Sequence, residues 1–280
     1  MTATIDCRSW AEFCSIHIKG AVSIPAEHLF ARLHELPKKT EPLVLCGSQA
    51  ELQLAEAFLM ERGYDIIEKL EWDEQLLKRL TDLQQLEQGS LQPRLWQPAP
   101  LLQRFIQEFM PHYGIQAGKG LDLACGAGRD LVYLALNGWQ MTGVDWSADS
   151  IQRVTQLAAQ HQVQIKAYQR DLETSSDPLS DWPDQQFDLI CVARYLHRPL
   201  FTTIRRLLKP NGILIYQTFM KGCENTVVGR PRNPRFLLEP HELASYFSND
   251  DIWLDEIEIL PDDRPISAFV VRLRSHLVAC

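Results

Sequence analysis

The run Asp122-Leu-Ala-Cys-Gly126-Ala-Gly128 puts a carboxylate and two glycines in one short turn, and Asp145 supplies a second carboxylate further on. Glycine has no Cβ, so backbone can turn sharply there and come close to a ligand. A carboxylate can accept hydrogen bonds from both hydroxyls of a ribose. Together these residues predict a nucleotide-like ligand held between a glycine turn and Asp145. A dinucleotide fingerprint wants a third glycine three positions after the second. That position is Leu131. No Gly-Lys-Ser/Thr follows, so the turn is not a P-loop.

The surrounding pattern supplies the elements that must hold these residues. Residues 120–123 are a short apolar strand, and a helix begins near Arg129, its positive N-terminal end aimed at the turn. A second apolar strand ends on Asp145, and Trp146-Ser147 opens another helix with Ser147 as cap. Trp146 is placed either to cover an adenine or ribose or to pack. Residues 164–168 read as a third strand followed by Asp171-Leu172, and residues 187–193 as a fourth followed by Arg194-Tyr-Leu-His197. Residues 200–208 are helical, Lys-Pro-Asn-Gly at 209–212 is a turn, and residues 213–219 are a fifth strand. Residues 252–260 and 266–274 flank a proline-rich turn as an antiparallel hairpin. Strands alternating with helices predict a doubly wound parallel sheet, whose ligands bind beyond the strands' carboxyl ends. Residues 220–241, rich in glycine and proline, are a candidate lid; Arg230, Arg232 and Arg235 there could bind an anionic substrate.

This order of motifs resembles the class I methyltransferases that use S-adenosyl-L-methionine. Asp122, Gly126 and Gly128 match their acidic-x-Gly-x-Gly-x-Gly motif, with Ala124 in place of the first glycine and Cys125 between. The Lys-Pro-Asn-Gly turn and the terminal hairpin match as well. The resemblance implies a ribose carboxylate at Asp145, adenine contacts at Asp171 and the Leu172 backbone, and the cofactor's methionine portion over Ala193 and Arg194. Within that class the domain resembles the tellurite-resistance and thiol methyltransferase group. That implies a small-molecule methyl acceptor such as a thiol or a chalcogen oxyanion. A soft nucleophile needs no strong base, and Tyr195 and His197 are the polar candidates near the methyl.

The front of the chain carries a second set of chemistry-bearing residues. Residues 3–5 are a strand ending at Asp6, residues 9–16 a helix capped by Ser9, residues 43–45 a strand delivering Cys46 to a loop, and residues 50–62 a helix stopped by Gly63. Asp6-Cys-Arg8, His17-Ile18, Ile24-Pro25, Cys46 and Gly63-Tyr64 resemble a rhodanese domain. The resemblance implies that Cys46 is the position of a persulfide-carrying nucleophile. The family's loop supplies an arginine where this chain has Glu51, and a carboxylate there disfavours a thiolate. The expectation is therefore a degenerate module, structural or partner-binding. The alternatives are sulfur transfer at Cys46 coupled to methylation, or docking for an RNA or protein methyltransferase.

The totals frame these readings. The chain has 280 residues, enough for two modest domains. Residues 1–85 are assigned to the rhodanese-like domain, 86–100 to a linker, and 101–280 to the methyltransferase domain. The formal net charge of −8 argues against a general nucleic-acid partner. No run approaches a membrane span. The seven cysteines are scattered without a CxxC pair, which predicts a reducing cytoplasm and no metal centre. The fold class expected is α/β: a small rhodanese-like domain, then a Rossmann-like sheet with a C-terminal antiparallel hairpin.

Overall fold

A computed structural model describes residues 2–175 and 177–274. Two compact units divide at Gln97 and Pro98.

In the first unit the strands are β1 (Ala3–Asp6), β2 (His17–Ile18), β3 (Val22–Ser23), β4 (Leu43–Gly47), β5 (Ile66–Glu71) and β6 (Leu86–Glu87). A parallel sheet runs β3-β1-β4-β5, and β2 pairs antiparallel with β6. Side chains alternate along a strand. Leu43 and Leu45 therefore join Leu52, Ala55 and Leu59 of a helix, α2 (Gln49–Glu61), while Cys46 joins another cluster with Leu76 and Leu80. The other helices are α1 (Trp10–Ser15) and α3 (Glu74–Asp82). α1 and α2 both start in capping boxes, Ser9 with Glu12 and Ser48 with Glu51. Two expectations differ here. β5 was not marked by the sequence, because as an edge strand it leaves most side chains exposed. The segment from residue 86, expected as linker, belongs to this unit: Leu86–Glu87 pairs with His17–Ile18, and Gln92 accepts the Ser23 N–H at 2.8 Å.

The second unit begins with a helix over residues 100–113, α4, whose middle turn Phe105–Phe109 is π-helical and whose end is set by Gly114 at φ +63°. The strands then are β7 (Lys119–Leu123), β8 (Gln140–Asp145), β9 (Lys166–Gln169), β10 (Phe187–Ala193), β11 (Leu208–Phe219), β12 (Asp251–Ile259) and β13 (Pro265–Arg272). Their order in the sheet is β12-β13-β11-β10-β7-β8-β9. β13 runs antiparallel to both β11 and β12, giving the expected terminal hairpin, while the other pairings in this sheet are parallel. The crossover helices are α5 (Arg129–Leu136), α6 (Ala148–Gln160) and α7 (Leu200–Leu207); a short α8 (Glu242–Tyr246) follows the long loop. Leu121, Leu123, Val144, Ile190, Val192, Leu214 and Phe269 fill the centre of the core, with Ile204 and Leu207 of α7 packed among them.

The predicted turn at 209–212 is the kinked start of β11. Phe187 pairs with Leu208 and Leu189 with Ile213, so the residues between bulge out opposite Asp188. Asn211 takes φ +63°, and Lys209 Nζ pairs with Asp188 at 2.7 and 2.8 Å.

Candidate functional site

The chain order turns back on itself at β7, which has β8 on one side and β10 on the other. The loops leaving β7 and β10 therefore diverge, opening a crevice at their carboxyl ends. The loop from β7 is the glycine turn. Ala124, Gly126 and Gly128 all take positive φ, at +59°, +53° and +83°. Alanine thus stands in a left-handed conformation that glycine adopts without strain. A Cβ on Gly126 would meet nothing within 4 Å, whereas one on Gly128 would lie 2.0 Å from Val154 Cγ2. Gly126 leaves open space on the ligand side; Gly128 lets α6 approach. Cys125 turns its side chain inward, where a Cβ on Gly143 would be 2.9 Å from its sulfur. Its thiol is pushed far up by burial, so only its backbone faces the turn.

Asp145 ties the turn to β8. Its carboxylate accepts the Gly126 N–H at 2.9 Å and the Ser147 N–H at 3.0 Å, and both oxygens keep lone-pair capacity for a further donor. Trp146, next along, is 72% exposed and presents a free aromatic face. Asp122 lies beneath the turn, buried, with Oδ2 lacking a hydrogen-bond partner among the described residues. Burial, and then the nearby Asp130, push its carboxyl well above the usual range. An open glycine turn and a ribose-type carboxylate are what a nucleoside such as S-adenosylmethionine requires.

A second group gathers where β9 and β10 end. The Asp171 carboxylate is exposed and accepts the Glu173 N–H at 2.9 Å, while Leu172 is buried. Tyr195 donates its hydroxyl to Glu173 Oε1 at 3.3 Å, and His197 Nδ1 lies 4.0 Å from Glu173 Oε2. Desolvation and the Glu173 charge push the Tyr195 hydroxyl up, so it serves as a donor and not as a base. Glu173 was not singled out from the sequence; it lies in an irregular polar loop that carries no pattern.

Arg194, the residue after Ala193, holds φ +59° and donates its N–H to the Gln217 carbonyl at 2.7 Å. It opens a cavity of about 640 Å³ along the ends of β10 and β11, lined also by Tyr195, Leu196 and Thr218. The loop over residues 220–241 supplies Arg230, Arg232 and Phe236 to the same cavity. Arg235 is not among its lining residues; its carbonyl instead accepts Arg198 Nη1 at 3.1 Å, because Pro234–Phe236 forms a turn that carries Arg235 away. Arg264, from the turn between β12 and β13, lines the cavity and was not anticipated.

Cys46 occupies the strand end expected of it, but it is fully buried, and burial and then Asp6 push its thiol far up. α2 starts three residues later, and its N-terminus is already occupied: Glu51 accepts the Ser48 N–H and hydroxyl, both at 2.8 Å. Beside it, Arg8 forms a buried ion pair with Asp6 and lies 3.4 Å over the Trp72 ring. Among the described residues, no cluster of three or more histidine, cysteine or acidic side chains could hold a metal ion, and no helix is long and apolar enough to cross a membrane.

A model of the methyltransferase domain matches residues 121–212, and one of the rhodanese-like domain matches residues 1–71. An uncharacterized protein of Schizosaccharomyces pombe, UNK4.09, is 24% identical over 96% of this chain and 92% of its own length. The ribosomal RNA small subunit methyltransferase C of Alcanivorax borkumensis is 31% identical over 39% of this chain, which spans only 34% of that relative. The crystal structure of TehB from Haemophilus influenzae is similar over 59% of this chain and 61% of that one, at 18% identity and a TM-score of 0.48. Doubly wound sheet, glycine turn and matched domain define the second unit as a class I S-adenosylmethionine-dependent methyltransferase. The chain as a whole is a rhodanese-like domain followed by that methyltransferase domain.

Proposed function

We propose that this methyltransferase acts on a small-molecule acceptor bound in the cavity at the ends of β10 and β11. The observation that carries the reading is the position of Arg194–Leu196: these residues line the cavity and lead directly from the strand beside the glycine turn. Asp145 would hold the ribose, Asp171 and the Leu172 backbone the adenine, and Trp146 would cover them. The amides of Ala124–Gly128, with Ala193 and Arg194, would line the methionine portion.

When bound, S-adenosylmethionine supplies a methyl made electrophilic by the sulfonium. The protein's part is to align an acceptor in line with the methyl–sulfur bond and to exclude water. His197, 4.0 Å from Glu173, is not among the lining residues, whereas Tyr195, which lines the cavity and donates to Glu173, would orient an acceptor rather than deprotonate it. This suits a thiol or a chalcogen oxyanion, whose nucleophile needs no strong base. The rhodanese-like domain serves as a structural or partner-docking module; buried Cys46 and the Glu51 cap favour this over sulfur transfer.

Calorimetric titration with S-adenosylmethionine tests the reading. The full chain binds, and Asp145→Ala weakens binding at least about tenfold, since charge-assisted hydrogen bonds contribute about 1.5–3 kcal/mol. Undiminished binding by the variant refutes the site. Labelled-methyl transfer to thiols, chalcogen oxyanions and cell extract then identifies the acceptor.

A further inference from the structure

Four arginines line the cavity: Arg194 from the end of β10, Arg230 and Arg232 from the long loop, and Arg264 from the β12–β13 turn. Two carboxylates stand against them: Asp262, which accepts from Arg264 Nε at 3.0 Å and Nη2 at 2.8 Å, and the buried Asp130, whose charge reaches Arg194. Among the described residues no acidic side chain forms an ion pair with Arg194, Arg230 or Arg232. The concentration is local, because the chain as a whole carries a formal charge of −8.

Two of these side chains are held in place with donors to spare. Arg264 is fixed by Asp262, by the Arg230 carbonyl at 3.2 Å and by the Phe219 ring, 4.6 Å from its guanidinium. Arg232 Nε donates to the Gly229 carbonyl at 2.8 Å. A guanidinium has five N–H donors, so both retain terminal N–H groups for a planar or tetrahedral anion. Between them the wall carries apolar faces, Phe219, Phe236, Leu196 and Pro231, together with the polar side chains of Tyr195, Thr218 and Asn233. Phe236 is 43% exposed, a large apolar face with room for a partner.

We infer that the acceptor is an amphipathic organic anion, with its carboxylate or phosphate held by Arg232 and Arg264 and its apolar body against Phe219 and Phe236. This deepens, and rests on, the reading of the cavity as the acceptor site. Of the two acceptor classes proposed above, the cavity volume favours a thiol of drug-like size bearing such an anionic group over a bare chalcogen oxyanion. A neutral acceptor would leave the guanidiniums unmatched, and a cationic one would be repelled. The positive cavity in an acidic protein also steers anions to this mouth. Arg264 and Arg232 are thus specificity residues, and their partner group on the acceptor is distinct from the atom that receives the methyl.

The test titrates the full chain, saturated with S-adenosylhomocysteine, with 2-naphthoate, 2-naphthyl phosphate and neutral 2-naphthamide. At least one of the two anions binds about tenfold or more tightly than the amide; which anion leads tells a carboxylate acceptor from a phosphate ester. Arg232→Gln, and Arg232→Gln with Arg264→Gln, remove most of that preference while S-adenosylhomocysteine affinity and the circular dichroism spectrum stay as in the parent. Naphthamide binding as tightly as both anions, no binding by any probe, or a preference that survives both variants overturns the inference. Failure of the parent to bind S-adenosylhomocysteine would instead sink the methyltransferase site itself, which separates the two readings.

Discussion

Gly126 and Gly128 share a motif yet do different work, and substitution separates them. Gly128→Ala forces a methyl to 2.0 Å from Val154 Cγ2 and 3.1 Å from its Cα, in a backbone region that L-residues avoid. Overpacking and strain together should cost about 2 kcal/mol or more, read as a lower urea midpoint. Gly126→Ala meets no protein atom and should cost only about 1 kcal/mol for its positive φ. Its methyl points into the turn's open side, so S-adenosylmethionine affinity should fall while the urea midpoint barely moves. The reverse pattern, Gly126→Ala unstable with normal affinity, would show that the open side is not the cofactor's. Ala124 already tolerates φ +59°, which makes the prediction for Gly126 a fair comparison.

The long loop over residues 220–241 is an element with defined anchors. Met220 and Leu238 form a bridge at its base, and Cys223 Sγ donates to the Pro265 carbonyl at 3.3 Å. Arg198 carries most of the polar load: it grips Glu242 through Nε and Nη2 at 2.5 and 2.8 Å and donates to the Arg235 and Leu237 carbonyls. Arg198 sits at the head of α7, so the loop is pinned to the same connection that carries Tyr195 and His197. Arg198→Ala should release the loop, with faster cleavage of residues 220–241 by a limiting amount of trypsin and a raised KM for the acceptor. S-adenosylmethionine affinity should not change. A cleavage rate equal to the parent's would mean the base anchors suffice alone. The same scale explains what was hard to read in sequence. β5 is an edge strand whose exposed side chains break the alternation, and the 209–212 turn joins β11 because a bulge absorbs it.

At the scale of the whole molecule, burial of thiols couples both units to pH. Cys46, Cys125 and Cys191 are buried with thiols pushed up, and Cys7 is pushed from 9.0 to about 12, in each case by desolvation first. A folded thiol that holds its proton more tightly than the unfolded one contributes stability that is present below the unfolded value and lost as pH rises toward the folded value. Urea midpoints should therefore be flat near neutrality and fall above about pH 9. Iodoacetamide at about pH 8 should leave Cys7 and Cys46 unmodified by mass spectrometry until the chain is unfolded. Rapid native labelling of Cys46, or a persulfide on it after thiosulfate, would restore the sulfur-transfer reading.

Much was determined by the sequence itself, because local chemistry is written in neighbouring residues. The glycine spacing, Asp145 at a strand end, the Ser147 cap and the alternation of strands and helices specify a βαβ crevice without reference to anything distant. The rhodanese-like order of the first unit was legible for the same reason, as was Glu51 as the departure in its loop. Tertiary structure decided what depends on residues far apart in the chain. Packing turned Cys46 into the α3-side cluster instead of its loop, because strand alternation and burial choose the face. The hairpin turn brought Arg264 to the cavity, a 3₁₀ turn took Arg235 away from it, and an irregular loop delivered Glu173 to Tyr195 and His197. None of these has a periodic signature, since loop side chains are placed by the surfaces on which they come to rest.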